Sequence, residues 1–373
     1  MIRKIYKDFI VRKIKEEGAG WLVKRAGQYM LLHLSSLLGK PLCGPVHGSI
    51  MVTYRCNYNC VMCDFPQKCV ERVRADEQEL GTDKFRHIIG EFARIGTPGI
   101  GFTGGEPMLR SDIYDLMACT RQHKMITHLN TNGYFIDDAA AVRLIQIGVD
   151  SVNISLDGAK PETHDRIRNY TGAFERATAA VGRLNRLRQK QGVMLRIKNV
   201  AVIDETNLDE VPELIHLSRE LGADCIEFIP RQPFAAADLL ALRTVPADAL
   251  LLDKVDKMVE YISNAAKEGF GIENSPAHLR LLRSSFAGIP SPVRCRAGYN
   301  SLLVDCYGDV FTCFPFIGWG KPAGNIRDGS LVELWNSPDY QKHRDSASGC
   351  HDCYLNGQLE LNLLFDHKIR MGW

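Results

Sequence analysis

The sequence predicts an α/β protein with a parallel sheet, followed by a smaller cysteine-rich unit. Three observations predict it. Between residues 49 and 235, short strand-like runs alternate six times with helical stretches, the pattern of parallel strands joined by right-handed helical crossovers. Seven of the twelve cysteines fall into two groups, Cys56/Cys60/Cys63 and Cys295/Cys313/Cys350/Cys353. From Ser291 the composition turns toward cysteine, glycine and aromatic residues, and a hairpin pattern replaces the alternation.

Composition bounds what such a chain can be. Its 373 residues allow two domains, or one large domain with an appendage. Hydrophobic residues at 45% and charged residues at 24% exclude a disordered chain, a collagen and a coiled coil. Lys and Arg number 46 against 44 Asp and Glu, so no nucleic-acid partner is expected from charge. No apolar run reaches the roughly 18 residues of a membrane span. The longest, near Tyr29–Leu38, is interrupted by His33 and two serines. The N-terminal MIRKIYKDFI carries charges among its apolar positions and lacks a small-residue cleavage site. A signal peptide is therefore not expected, and a cytoplasmic location is. In that compartment, cysteines point to metal before disulfides.

Residues 1–48 read as a basic helical extension, with nine Lys/Arg (from Arg3 to Lys40) against Asp8, Glu16 and Glu17. Gly18 and Gly20 separate two helices. Such helices pack on a main domain or lie against an anionic surface, so peripheral membrane contact through residues 1–40 is one expectation. In residues 49–235, strands are expected at Gly48–Thr53, Gly99–Thr103, Thr127–Thr131, Ser151–Ser155, Leu195–Val202 and Cys225–Ile229. Helices are expected at Thr82–Ile95, Ile113–Gln122, Asp137–Ile147, Phe174–Gln191 and Leu208–Leu221. Six such units form either an open doubly wound sheet or an incomplete barrel. In both, the site lies at the C-terminal strand ends. Cys56, Gly104, Asn132 and Asp157 each follow one of the first four strands, which places them on one face. Residues 236–290 read as a helical linker region, with apolar stretches at Leu239–Leu242 and Ala247–Ala266. Residues 291–373 form the cysteine-rich unit. There, Leu302–Cys306 and Val310–Phe314 flank a Tyr307-Gly308-Asp309 turn, and a short helix begins at Val332.

Cys56-Asn-Tyr-Asn-Cys60-Val-Met-Cys63 is a C-x3-C-x2-C triple. Three thiolates on one loop hold three corners of a [4Fe–4S] cluster and leave one iron without a protein ligand, open to a substrate. A structural zinc site would ask for four ligands. Gly104-Gly105-Glu106-Pro107 follows the second strand. Together these motifs resemble the radical S-adenosylmethionine (SAM) superfamily. The resemblance covers residues 49–235 and implies an incomplete (β/α)6 TIM-like barrel. It implies that Gly104, Gly105, Glu106 and Pro107 bind the amino group of the SAM methionine, with Glu106 balancing the ammonium. It places Met62 against the adenine, Ser155 and Asp157 near the ribose, and Asn132 of the Asn130-Thr-Asn132-Gly133 stretch at the third strand end. His164-Asp-Arg-Ile-Arg168 resembles a segment of one subgroup, in which Arg168 would pair with the SAM carboxylate.

The second set, Cys295, Cys313, Cys350 and Cys353, resembles the auxiliary-cluster domains called SPASM and twitch. It implies one fully ligated auxiliary [4Fe–4S] cluster on a β-hairpin and helix. The first cysteine set with SAM would then generate a 5′-deoxyadenosyl radical that removes a hydrogen atom from a substrate. A flavodoxin- or ferredoxin-type protein would be the reductant. The auxiliary cluster would take up an electron in an oxidation. A small-molecule substrate is expected first, a peptide second, and an iron–sulfur electron carrier is the reading of another class. Arg231, after the sixth strand, is the candidate catalytic residue, with Tyr299 and Glu227 behind it.

Overall fold

The computed structural model describes residues 2–232 and 248–365. The helical stretch expected at Leu239–Leu242 lies outside the described residues. Six parallel strands form the centre: β1 (His47–Thr53), β2 (Gly99–Gly104), β3 (Ile126–Thr131), β4 (Ser151–Ser155), β5 (Arg196–Ile203) and β6 (Cys225–Pro230). They are neighbours in chain order. The same sheet continues past β1 into β7 (Ser301–Val304), β8 (Asp309–Phe311) and β9 (Gly324–Asn325). The hairpin of the cysteine-rich unit is therefore an extension of the main sheet. Its first strand runs parallel to β1, His47 opposite Ser301 and Ile50 opposite Val304. Among the described residues the barrel does not close: β6 pairs with β5 on one side and meets only an isolated bridge, Ile226 to Ile272, on the other.

The described helices are α1 (Ile2–Glu17), α2 (Gly20–Leu38), α3 (Phe65–Arg74), α4 (Thr82–Arg94), α5 (Ile113–Gln122), α6 (Asp138–Ile147), α7 (Pro161–Arg168), α8 (Ala173–Gln191) and α9 (Val211–Glu220). They continue with α10 (Ala249–Lys267), α11 (Pro276–Phe286), α12 (Phe316–Trp319), α13 (Leu331–Trp335), α14 (Pro338–Ser348) and α15 (Asn356–Phe365). Local chemistry sets their ends. Asp137 caps α6 by accepting the Ala140 N–H at 2.7 Å, and Gly148, at φ +77°, terminates it.

Strand alternation divides the sheet into two faces. Ile50, Val52, Ile100, Phe102, Leu129, Val152, Ile154, Ile197 and Phe228 are fully buried in one core cluster with the helices. Each such side chain contributes about 1.5–3 kcal/mol on burial. Val255, Met258 and Ile262 of α10 belong to the same cluster. Many of the intervening positions are polar: His47 and Ser49, His128 and Asn130, Asn153, Arg196 and Lys198, with Met51, Val200 and Val202 among them. They line the concave interior, where Asn153 Nδ2 donates to Asn130 Oδ1 at 2.8 Å. A sheet buried by helices on both faces would carry apolar residues there instead.

Candidate active site

The cysteine loop leaves the C-terminal end of β1 and is locked to the end of β2. The Gly105 N–H donates to Thr53 O at 2.8 Å and the Glu106 N–H to Arg55 O at 2.9 Å. Gly104 has φ +136°, and a β-carbon there would lie 2.2 Å from Thr53 O. A β-carbon on Gly105 would lie 2.2 Å from Arg55 O and 2.7 Å from Tyr54 O. The two glycines thus admit the backbone of the cysteine loop itself, a closer neighbour than any ligand. Gly105→Ala is expected to lower stability by more than about 2 kcal/mol, because only backbone could yield to the new methyl. Urea unfolding and iron content per chain would measure it.

Glu106 is fully buried. Its carboxylate accepts the Met108 N–H at 3.0 Å, the Thr131 hydroxyl at 2.8 Å and the Asn132 N–H at 2.8 Å. Pro107 opens the short turn that Glu106 caps. Burial pushes the Glu106 carboxyl up to about 7, against the pull of those hydrogen bonds and of Arg168. As placed, Glu106 is a strut between β2 and β3. Asn132 extends the strut, since its Nδ2 donates to Asn57 Oδ1 in the cysteine loop at 2.8 Å. Its Oδ1 accepts the Tyr134 N–H at 2.9 Å.

Arg168, at the end of α7, is buried, with Nε 2.5 Å from Asp157 Oδ2. Its NH1 lies 3.8 Å from Cys60 Sγ. Burial alone would lower the Arg168 pKa, but Asp157 and Cys60 outweigh it and hold the guanidinium charged. Asp157 is fully buried and also accepts the Val202 N–H at 2.8 Å. Its own N–H donates to His164 Nδ1 at 3.0 Å. Asp157 therefore orients Arg168 toward the cysteine loop. Ser155 and Met62 are half-buried at the same end of the sheet.

Cys56, Cys60 and Cys63 share this loop. Burial pushes the Cys56 thiol up to about 11 and the Cys63 thiol up to about 12, and Cys60 acts on both. The Tyr58 N–H donates to Cys56 Sγ at 3.4 Å. The second set converges from three separate segments. Burial raises Cys313 well above the ordinary thiol range, with Cys295, Cys353 and Cys350 all acting on it. Burial pushes Cys295 up to about 11. The Leu355 N–H donates to Cys353 Sγ at 3.2 Å and the Ala297 N–H to Cys295 Sγ at 3.5 Å. Cys306 is fully buried within the main core. Among the described residues, no three His, Cys, Asp or Glu side chains are arranged around one metal ion. Burial disfavours the thiolate at Cys56, Cys63, Cys295, Cys313 and Cys353. A cationic iron–sulfur cluster supplies the missing charge, so both sets fit one.

Around Glu227, a candidate from the sequence, the interior holds groups that no motif marks. Lys198 pairs with Glu227, whose other oxygen accepts Asn356 Nδ2 at 2.5 Å. Asn356 stands three residues after Cys353, so this contact joins the barrel interior to the auxiliary unit. Burial would lower the Lys198 ammonium, but Glu227 and Glu273 outweigh it and its pKa is raised. Burial pushes His47 down to about 4 and His128 down to about 3, so both imidazoles are neutral at neutral pH. The signal for these residues was the polar alternation along β1, β3, β4 and β5. Arg231 is half-exposed and 3.8 Å from Asp204 Oδ2, an ion pair open to solvent. Tyr299 is buried, and its hydroxyl accepts Gln341 Nε2 at 3.0 Å.

A family model described as the radical SAM superfamily matches residues 50–218, and one described as an iron–sulfur cluster-binding domain, SPASM, matches residues 295–354. Residues 50–218 thus carry a radical SAM domain and residues 295–354 a SPASM domain. It is similar to an AdoMet-dependent heme synthase of Methanosarcina barkeri, 29% identical over 79% of this chain and 83% of that one. A protein of the same name from Oleidesulfovibrio alaskensis is 26% identical over 81% of this chain and 76% of that one. The fold matches Streptococcus suis SuiB bound to S-adenosylmethionine, with TM-score 0.62 and 17% identity over 89% of this chain and 75% of that one. It also matches anSMEcpe with bound AdoMet and a peptide, with TM-score 0.61 and 18% identity over 83% and 84%. The cofactors are thus SAM and iron–sulfur clusters.

Proposed function

We propose that this radical SAM enzyme removes a hydrogen atom from a small-molecule substrate and completes a net oxidation in the barrel interior. One observation carries the reading: the cysteine loop, the GGEP turn, Asn132 and the Asp157–Arg168 pair are bound to one another at one end of a polar interior. When bound, the two clusters supply an electron for reductive cleavage of SAM to methionine and a 5′-deoxyadenosyl radical, and an acceptor for an electron from the substrate. The chain's own groups hold the rest in place. Arg168 offers a charged donor beside Cys60, suited to the SAM carboxylate. Gly104, Gly105, Glu106 and Pro107 fix the turn at which the methionine amino group would sit. Met62 and Ser155 flank it on the adenine and ribose sides. Glu227, paired with Lys198 in the interior, is the group that would take the proton an oxidation releases. Arg231 is better placed for Asp204 than for substrate.

A tetrapyrrole is the first substrate class to test, because two relatives matched over about four-fifths of this chain are named heme synthases. The reading requires a flavodoxin- or ferredoxin-type donor and a cytoplasmic setting; residues 1–40 are the part that would meet a membrane. The test is anaerobic turnover of the reconstituted protein with SAM, dithionite and iron coproporphyrin, following 5′-deoxyadenosine and the mass of the tetrapyrrole. Deoxyadenosine with a mass loss in the tetrapyrrole is the expected result. The double variant Cys350→Ala/Cys353→Ala should keep deoxyadenosine formation, lose the product and fall from roughly eight irons per chain to roughly four. A fully loaded protein that makes no deoxyadenosine with any reductant or substrate would overturn the reading.

A further inference from the structure

We propose that α2 is an interfacial helix that seats the protein on an anionic bilayer, lying in the plane of the headgroups. Its amphipathicity is inverted relative to a helix packed on a core. Gln28, Ser35 and Ser36 are buried with Leu32, while the opposite face is apolar and open. Val23 and Leu37 are 73% and 75% exposed, and Met30, Leu34 and Leu38 are exposed with them. Val23, Met30, Leu34 and Leu37 are spaced by seven, four and three residues, which puts them on one stripe. Leu22, Leu31 and Leu42 are exposed at its borders.

The helix cannot roll to hide that stripe, because its polar face is bonded to the body of the protein. Gln28 Nε2 donates to Gly44 O at 3.0 Å. Arg296 NH1 donates to Ser36 Oγ at 2.6 Å, and the Leu42 N–H to Ser35 Oγ at 2.9 Å. The Tyr29 hydroxyl donates to Leu364 O at 3.1 Å. The apolar stripe is thus held outward by design of the contacts beneath it, which is the arrangement of a surface meant to be covered.

Charge selects the cover. From Gly20 to Lys40 the chain has Lys24, Arg25 and Lys40 and no Asp or Glu. Lys24 and Lys40 are exposed near the two ends of the helix. At its N-terminal end, a cavity of about 300 Å³ is lined by Lys24, Arg25, Lys124 and His123, with Glu17 its one acidic residue. An apolar stripe flanked by cations and a basic recess matches the acyl boundary and phosphates of an anionic membrane. A second copy of this chain would bring the same cations together. Among the described residues no helix is long and apolar enough to cross the bilayer, so the contact lies on one leaflet.

The experiment is co-sedimentation of the full-length, iron-loaded protein with phosphatidylcholine vesicles, with and without roughly 30% phosphatidylglycerol. Binding is expected with the anionic vesicles and should weaken as salt rises. The triple variant Val23→Glu/Met30→Glu/Leu37→Glu should bind at least roughly tenfold more weakly. Lys24→Glu/Lys40→Glu should lose the preference for phosphatidylglycerol. Neither set touches the SAM site, so deoxyadenosine formation in detergent-free buffer should be unchanged, which also reports that both variants are folded. Absence of vesicle binding by the wild type, or equal binding by the triple variant, would overturn the proposal. So would a dimer by light scattering that the triple variant converts to a monomer, because the stripe would then belong to a second copy. None of these outcomes bears on whether the enzyme performs radical chemistry.

Discussion

Replacing Cys56, Cys60 and Cys63 together by alanine is expected to abolish 5′-deoxyadenosine formation and to remove about half of the iron, roughly four atoms per chain. The fold should survive. The three thiols lie on a loop outside the strands, and the ties that hold this loop run through backbone and amides: Gly105 to Thr53, Glu106 to Arg55 and Asn132 to Asn57. Single variants should lose the activity as completely, because each removes one of three ligands and the open iron position depends on all of them. Iron analysis and chromatographic detection of deoxyadenosine, read on the same sample, check this. Retention of deoxyadenosine by the triple variant would place SAM cleavage elsewhere. Retention of all the iron would mean that the second cysteine set, or another group, holds more metal than four cysteines of one cluster require.

Much of this site was legible because its chemistry is local. C-x3-C-x2-C and GGEP are contiguous motifs, and each follows a strand, β1 or β2, whose ends the alternation marks to within one residue. What was not legible depends on which groups meet across the fold. Glu106 and Asp157 are buried carboxylates whose partners come from β3, β5 and α7, at separations of 25 residues or more for Thr131 and 45 for Val202. Nothing in the motif itself says that these carboxylates are already engaged. The pairing of β7 with β1 joins residues about 250 positions apart in the chain, a contact that no periodicity encodes. The helical pattern of residues 20–38 was legible, but not its orientation, because a helix can bury either face. Hydrogen bonds from Gln28, Ser35 and Ser36 decided it.

The polar alternation was a missed opportunity of another kind. His47-x-Ser49, His128-x-Asn130 and Arg196-x-Lys198 interleave with buried apolar residues on parallel strands. A doubly wound sheet would have buried those polar groups under helices at a cost of several kcal/mol each without partners. The pattern therefore favours a barrel with a polar interior over the open sheet. It also marks the polar interior positions as candidates beside Arg231.

Glu227→Gln is the substitution that tests this interior most sharply. Lys198 would keep its charge in a poorly hydrated space after losing its closest carboxylate, and breaking a buried ion pair in this way costs about 3–5 kcal/mol. Glu273 remains as a second carboxylate acting on Lys198, but it is already paired with Arg196 at 2.5 Å. With Glu227 neutralised, burial becomes the stronger influence and the Lys198 pKa should fall below the ordinary lysine value. The sign of the pH effect follows. In the wild type the Lys198 pKa is raised, so its stabilisation is fully present below the unfolded-state pKa and flat from pH 7 to 9. In the variant, the unfolded chain binds more protons than the folded one over that range, so stability should rise with pH. Urea unfolding at pH 7 and pH 9 reads both effects at once. If Glu227 also takes the proton released on oxidation, the variant should still form deoxyadenosine at the wild-type rate while product formation falls. A variant with unchanged stability and unchanged product would remove the Lys198–Glu227 pair from both roles.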